Sequence, residues 1–165
     1  MSNLSRIIVI LFVILSCAGC DQSTKYLATH NLIKGEVSSF AGDTFRLQYV
    51  ENTGAFLGMG NSLSEKQRFI IFSVTVSIVL ATLFLYTLLS VGLSLFNTIS
   101  LSLILGGGLS NLYDRFVNNG AVVDFLNIGI GTVRTGIFNI ADVFILVGVS
   151  MLLLHSRQRK VQNDL

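Results

Sequence analysis

Three aspartates fall within residues 106–142, a stretch with long apolar runs on both sides: Asp114 in GGGLSNLYDR, Asp124 in VVDF and Asp142 in FNIAD. Asp114 has Arg115 beside it, whereas Asp124 is flanked by Val123 and Phe125, and Asp142 by Ala141 and Val143. An ionisable group at membrane depth costs about 2.5 to 3.5 kcal/mol on insertion scales, so two carboxylates without a neighbouring cation mark a site. Two carboxyls brought together in a poorly solvated place cannot both ionise cheaply and share one proton. One then acts as a base that activates water and the other as an acid that protonates a carbonyl. That is a route to amide hydrolysis requiring neither a metal nor a nucleophilic side chain. No HExxH, GxSxG or serine–lysine arrangement in a convincing context offers a rival set.

Such carboxylates need an apolar surrounding, and the composition supplies one. Of 165 residues 52% are hydrophobic and 12% charged, with no proline and no tryptophan, which is membrane composition. Residues 69–113 contain no charge at all, a length that suits two spans of about 20 residues with a tight turn between them. A net charge of +2 from 11 basic and 9 acidic residues excludes a nucleic-acid partner.

These patterns predict a mainly α membrane protein of one integral domain. Its four transmembrane helices span residues 4–27, 69–89, 95–113 and 137–154, with outer segments at 30–68 and 115–136. The alternation in Phe45-Arg46-Leu47-Gln48-Tyr49-Val50 makes the first outer segment small and β-rich, and the second is expected to return a short apolar element carrying Asp124 to the bilayer surface, between two environments. Asn52 and Gly54 satisfy an ordinary hairpin turn. Leu15-Ser16-Cys17-Ala18-Gly19-Cys20 ends like a lipoprotein cleavage box, but the reading favoured here is an uncleaved first span in which both cysteines pack against a neighbouring helix. Asp21 and Lys25, spaced i,i+4, would pair where that span leaves the bilayer. Gly107, Asn111 and Asp114 share one helix face, and Asn139 and Asp142 share another in the first turns of the last span. Asp114 is expected to pair with Arg115. The basic cluster His155, Arg157, Arg159 and Lys160 puts the C-terminus in the cytoplasm. Four crossings then put the N-terminus there too, and the site at the outer face.

Five blocks, in order, carry a family resemblance over nearly the whole chain. Asp21-Gln22-Ser23-Thr24-Lys25 is similar to a DQxxK block, Asn52-Thr53-Gly54-Ala55 to NxGAA, residues 106–115 to GGAxGNxxDR, residues 122–125 to VVDF and residues 138–142 to FNxAD. In this the chain resembles bacterial lipoprotein signal peptidases, the signal peptidase II family. The resemblance implies a membrane aspartyl endopeptidase of the bacterial inner membrane, with the β-rich segment after the first span as an extracytoplasmic cradle and the piece before Asp124 as a short outer lid. Such an enzyme removes signal peptides from diacylglyceryl-modified prolipoproteins, cutting before the lipidated cysteine. It implies Asp124 and Asp142 as the catalytic pair, and Asp21, Lys25, Asn52, Gly54, Asn111, Asp114, Arg115 and Asn139 as residues that line or support the site. Neither metal nor cofactor is expected. Membrane lipid and globomycin-type cyclic peptides are the other implied ligands, and the protein is expected to be a monomer. Three positions depart from the blocks: Phe56, Gly108 and Ser110, the last expected to loosen helix packing. The alternative from another class is an ion- or proton-coupled transport protein using the same carboxylates as relay groups, and a third is a non-catalytic lipid-binding or assembly protein.

Overall fold

The computed structural model describes residues 2–54 and 63–163. Helix α1 (Asn3–Asn31) is capped by the Ser2 hydroxyl, which accepts from the Ser5 amide. It is followed by strands β1 (Ser38–Phe40) and β2 (Phe45–Asn52). The second apolar helix runs from Glu65 to Leu89. It comprises α2 (Glu65–Arg68), a π-helical stretch (Phe69–Thr75) and α3 (Val76–Leu89), and it starts on a capping box between Ser64 and Gln67. Then come α4 (Leu95–Val117), β3 (Val122–Ile130), β4 (Val133–Arg134) and α5 (Ile140–Asn163).

Among the described residues four helices are long and apolar enough to cross a membrane. The shortest stretch among them, in α5, is 18 residues, roughly 27 Å at about 1.5 Å per residue and close to the hydrocarbon thickness. Their outward faces carry exposed Phe12, Leu15, Ile78 and Leu146, as expected where lipid rather than water is the neighbour. The helices extend beyond the segments that hydropathy marks: α1 continues to Asn31, the second helix begins at Glu65, and α4 runs on to Val117.

Helix α4 is the centre of the bundle, and three consecutive glycines put it there. A Cβ on Gly106 would lie 2.7 Å from the Cys17 Cβ of α1, one on Gly107 2.4 Å from the Ala141 carbonyl oxygen of α5, and one on Gly108 2.7 Å from a Leu80 methyl of α3. Successive residues turn about 100° around a helix, so each glycine admits a different neighbour at backbone distance. Ile10, Ile14, Leu80, Leu105 and Leu112 fill the core between them.

Both outer segments contribute to one antiparallel sheet, ordered β1-β2-β3-β4. Val50 stands opposite Asp124 and Asn52 opposite Val122, with an irregularity between Leu47 and Val50. The turn from α4 to β3 places Asn119 and Gly120 at positive φ, 52° and 88°, as the Asn-Asn-Gly sequence favours. Ala28, Val123 and Phe125 pack the sheet onto the end of α1.

Candidate active site

The N-terminus of α5 is built by two of the candidate residues. The Asn139 Oδ1 accepts from the Asp142 amide at 3.0 Å, and the Asp142 Oδ2 accepts from the Asn139 amide at 3.2 Å. This is a reciprocal capping box with asparagine and aspartate in the usual roles of serine and glutamate. The helix therefore begins at Ile140 rather than at residue 137, and Asn139 caps it instead of lying within it. Capping also fixes the Asp142 carboxylate in the first turn.

Asp124 reaches the same place from β3, an inner strand paired with β2 on one side and bridged to Phe138 on the other. It is 3% exposed; the two environments expected of it are replaced by one, the space between sheet and helix ends. Its Oδ1 accepts from Asn139 Nδ2 at 2.7 Å and its Oδ2 from Asn52 Nδ2 at 2.9 Å. Burial pushes its carboxyl up to about 6, with the nearby Asp142 acting in the same direction and the bonds from Asn52 and Asn139 opposing.

Three asparagines aim their NH2 groups at the two carboxylates, and each is oriented by a partner that can only donate. The Gly54 amide donates to Asn52 Oδ1 at 3.0 Å. The Lys25 ammonium donates to Asn111 Oδ1 at 2.9 Å, leaving Asn111 Nδ2 to donate to Asp142 Oδ1 at 2.9 Å. The Asp142 amide occupies Asn139 Oδ1. Flipping any of these amides would set donor against donor, so the carboxylates sit in a field of fixed polarity.

Lys25 anchors this arrangement. It is 3% exposed and pairs with Asp21 at 2.6 Å and with Asp114 at 2.9 Å. The Asp21–Lys25 pair is thus buried within the bundle rather than set at the rim where α1 leaves it. The expected Asp114–Arg115 pair does not form, because neighbours on a helix point in different directions. Asp114 faces inward to Lys25, Gln22 and the Val123 amide. Arg115 instead donates to the carbonyls of Gly54 at 2.6 Å and Gly120 at 2.9 Å, and its guanidinium stands over Phe72. Asp21 ties α1 to α5 by accepting from the Ala141 amide at 2.8 Å. Ser110, expected to loosen packing, is buried and donates to Asp21 Oδ2 at 2.7 Å. Gln22, in the same DQxxK block as Asp21 and Lys25, joins Ser110 to Asp114.

Asp124, Asp142, Asn52, Asn111 and Arg115 line a recess of about 60 Å³, closed by Val122 and Ile137. No three His, Cys, Asp or Glu side chains are grouped as a metal site would need among the described residues. Ala55 and Phe56, the end of the NxGAA block and its departure, lie outside those residues.

Fold and site together define a multi-pass membrane protein with two carboxylates, Asp124 buried and Asp142 half-buried, under a small sheet at one end of its helices. The family model for signal peptidase (SPase) II matches residues 12–158. A lipoprotein signal peptidase of Borrelia turicatae is 32% identical over 98% of this chain and 96% of its own. One from Nostoc punctiforme is 37% identical over 84% and 83%. A solved structure described as a bacterial membrane enzyme, determined by the in meso method at 2.3 Å resolution, superposes with a TM-score of 0.76 at 29% identity, covering 94% of this chain and 89% of that one. The chain belongs to the signal peptidase II family and is a multi-pass bacterial membrane peptidase.

Proposed function

We propose that the chain is an aspartyl endopeptidase that removes signal peptides from diacylglyceryl-modified prolipoproteins, cutting before the lipidated cysteine, with Asp124 and Asp142 as its catalytic pair. The observation that carries this reading is the recess they share, where both carboxylates are held by amide donors and, among the described residues, neither forms an ion pair. About 60 Å³ admits a water, whose share of liquid volume is about 30 Å³. One carboxylate takes a proton from that water as it attacks the scissile carbonyl. The other, protonated, donates to the carbonyl oxygen; as the tetrahedral intermediate collapses it takes that proton back, and the first carboxyl passes the proton taken from the water to the leaving amine. Asp21 and Asp114 are excluded from that role by Lys25, which holds both within ion-pair distance.

Asn52, Asn111 and Asn139 support the reading by orienting the pair, and Arg115 by fixing the backbone at Gly54 and Gly120 that frames the recess. In this proposal the domain is a single monomeric unit, both termini are cytoplasmic and the site faces outward. Globomycin-type cyclic peptides would compete for the same recess. The test is to assay purified Asp21→Asn, Asp114→Asn, Asp124→Asn and Asp142→Asn variants on one lipidated precursor. The last two should lose turnover by several orders of magnitude at matched amounts of folded protein. Near-normal turnover in either would rule the pair out.

A further inference from the structure

Asp142 lines a second space besides the recess. A groove of about 660 Å³ runs from it along α5, with Val143, Ile145, Leu146 and Val149 as its wall. Ile128, Thr135 and Phe138 of the outer sheet and its return to α5 close its upper end. Val143, Leu146 and Val149 recur at i, i+3 and i+6, so the apolar wall continues along one helix face for roughly 10 Å below Asp142. The groove has one ionisable group in its lining, and that group belongs to the carboxylate pair. Leu146 is 66% exposed at a depth where the surrounding medium is hydrocarbon.

From this continuity we infer that the groove is the acyl-chain site of the substrate: the chains of the diacylglyceryl group lie along α5 beneath β3, while the cysteine that carries them stands at Asp142. The inference rests on the peptidase reading above and adds where its lipid goes. The occupant follows from the two ends of the space. The upper end meets the reacting groups, so the occupant must be joined to the scissile bond through a short polar linker. The lower end is apolar and open sideways to the bilayer, so the occupant must be hydrocarbon that enters laterally. A peptide backbone does not suit it, since its N–H and C=O groups would find no partners along Val143, Leu146 and Val149. A chain entering from the bilayer exchanges one hydrocarbon surrounding for another, so burial alone contributes little. The groove's contribution is alignment: chains held along α5 limit the positions the attached cysteine can take, and well-aligned reactants react faster.

Two measurements test this on the full-length protein in lipid nanodiscs. In the first, the binding-competent Asp124→Asn variant is loaded with a lipidated precursor whose acyl chains carry a diazirine at mid-chain, and the photolabelled residues are mapped by mass spectrometry. Labelling concentrated between Val143 and Val149 and at Ile128 or Phe138 is expected. A free phospholipid with the same diazirine should label all outward faces, including Phe12 and Leu15 of α1. A precursor pattern no different from the phospholipid's, or one centred on α1 or α3, overturns the inference. In the second, Leu146→Trp fills the groove. Its kcat/KM should fall at least tenfold on a precursor with long chains and stay within twofold on one whose glyceryl carries acetyl groups, with Leu15→Trp neutral on both. Equal effects of Leu146→Trp on the two precursors, or none on either, overturn the acyl-chain assignment while leaving the peptidase reading intact. Cleavage of neither precursor by the unmodified protein would instead overturn that reading, and the inference with it.

Discussion

Asn139 does two jobs, and a pair of substitutions separates them. Its Oδ1 caps α5 through the Asp142 amide, and its Nδ2 donates to the buried Asp124 carboxylate at 2.7 Å. Replacing it with alanine removes both functions. The lost cap costs about 1 kcal/mol, and the lost bond to a charged, buried acceptor about 1.5 to 3 kcal/mol, so Asn139→Ala should be destabilised by about 3 kcal/mol. Serine is an equally good cap, and its single hydroxyl can take the place of Oδ1, but it has no second group to offer Asp124. Asn139→Ser should therefore keep the cap and lose only the bond to Asp124, so it should be more stable than Asn139→Ala by about 1 kcal/mol. Its turnover should fall roughly ten- to a hundredfold, since each 1.36 kcal/mol of lost positioning is about tenfold in rate. Thermal unfolding in detergent and cleavage of a lipidated precursor, run on the same preparations, give the two numbers. Turnover in Asn139→Ser within threefold of the unmodified protein would refute the claim that this amide orients Asp124. Equal stability of Asn139→Ser and Asn139→Ala would show that the side-chain cap does not hold the helix end.

Asp124 links stability to pH: its carboxyl titrates at about 6 when folded against 3.8 in the reference state, because burial disfavours the charge. The folded form then binds more protons between those values, so stability should fall by on the order of 3 kcal/mol as pH rises from about 4 to 6. Unfolding of Asp124→Asn should lack that decline. The triple glycine makes a steric prediction: Gly107→Ala drives a Cβ to 2.4 Å from the fixed Ala141 carbonyl and should prevent accumulation of folded protein. Gly108→Ala meets only the movable end of Leu80 and should change stability by no more than about 1 kcal/mol. Helix α1 should remain attached, since Ile10, Ile14 and Cys17 are buried in the bundle. Intact mass spectrometry of the membrane form checks this, and a mature chain beginning at an acylated Cys20 would contradict it.

Three aspects of this protein are legible along the chain because they depend on near neighbours in sequence. Uncharged runs identify the membrane helices, since a span must satisfy its own backbone and bury few charges. The absence of a flanking cation at Asp124 and Asp142, set against Lys25 one turn from Asp21, separates the two kinds of carboxylate. The i,i+4 and i,i+7 spacing of Gly107, Asn111 and Asp114 likewise places them on one face, which α1 and α5 then cover.

What the tertiary structure decided depends on groups distant in sequence. Arg115 is next to Asp114 along the chain, but a helix turns its side chain away, and the partner of Asp114 comes from Lys25 on another helix. Hydropathy overlooks the start of α5, because Ile137 and Phe138 are as apolar as the helix itself; the boundary lies where Asn139 and Asp142 cap each other. Asp124 becomes buried only when β2 and Phe138 pair with its strand from either side. The orientation of the three asparagines is likewise absent from the one-dimensional pattern, for an amide presents oxygen or nitrogen equally well until a donor arrives from elsewhere. Lys25, Gly54 and the Asp142 amide are those donors. By fixing which end of each amide faces the carboxylates, they convert two aspartates 18 residues apart (142 − 124) into one paired site.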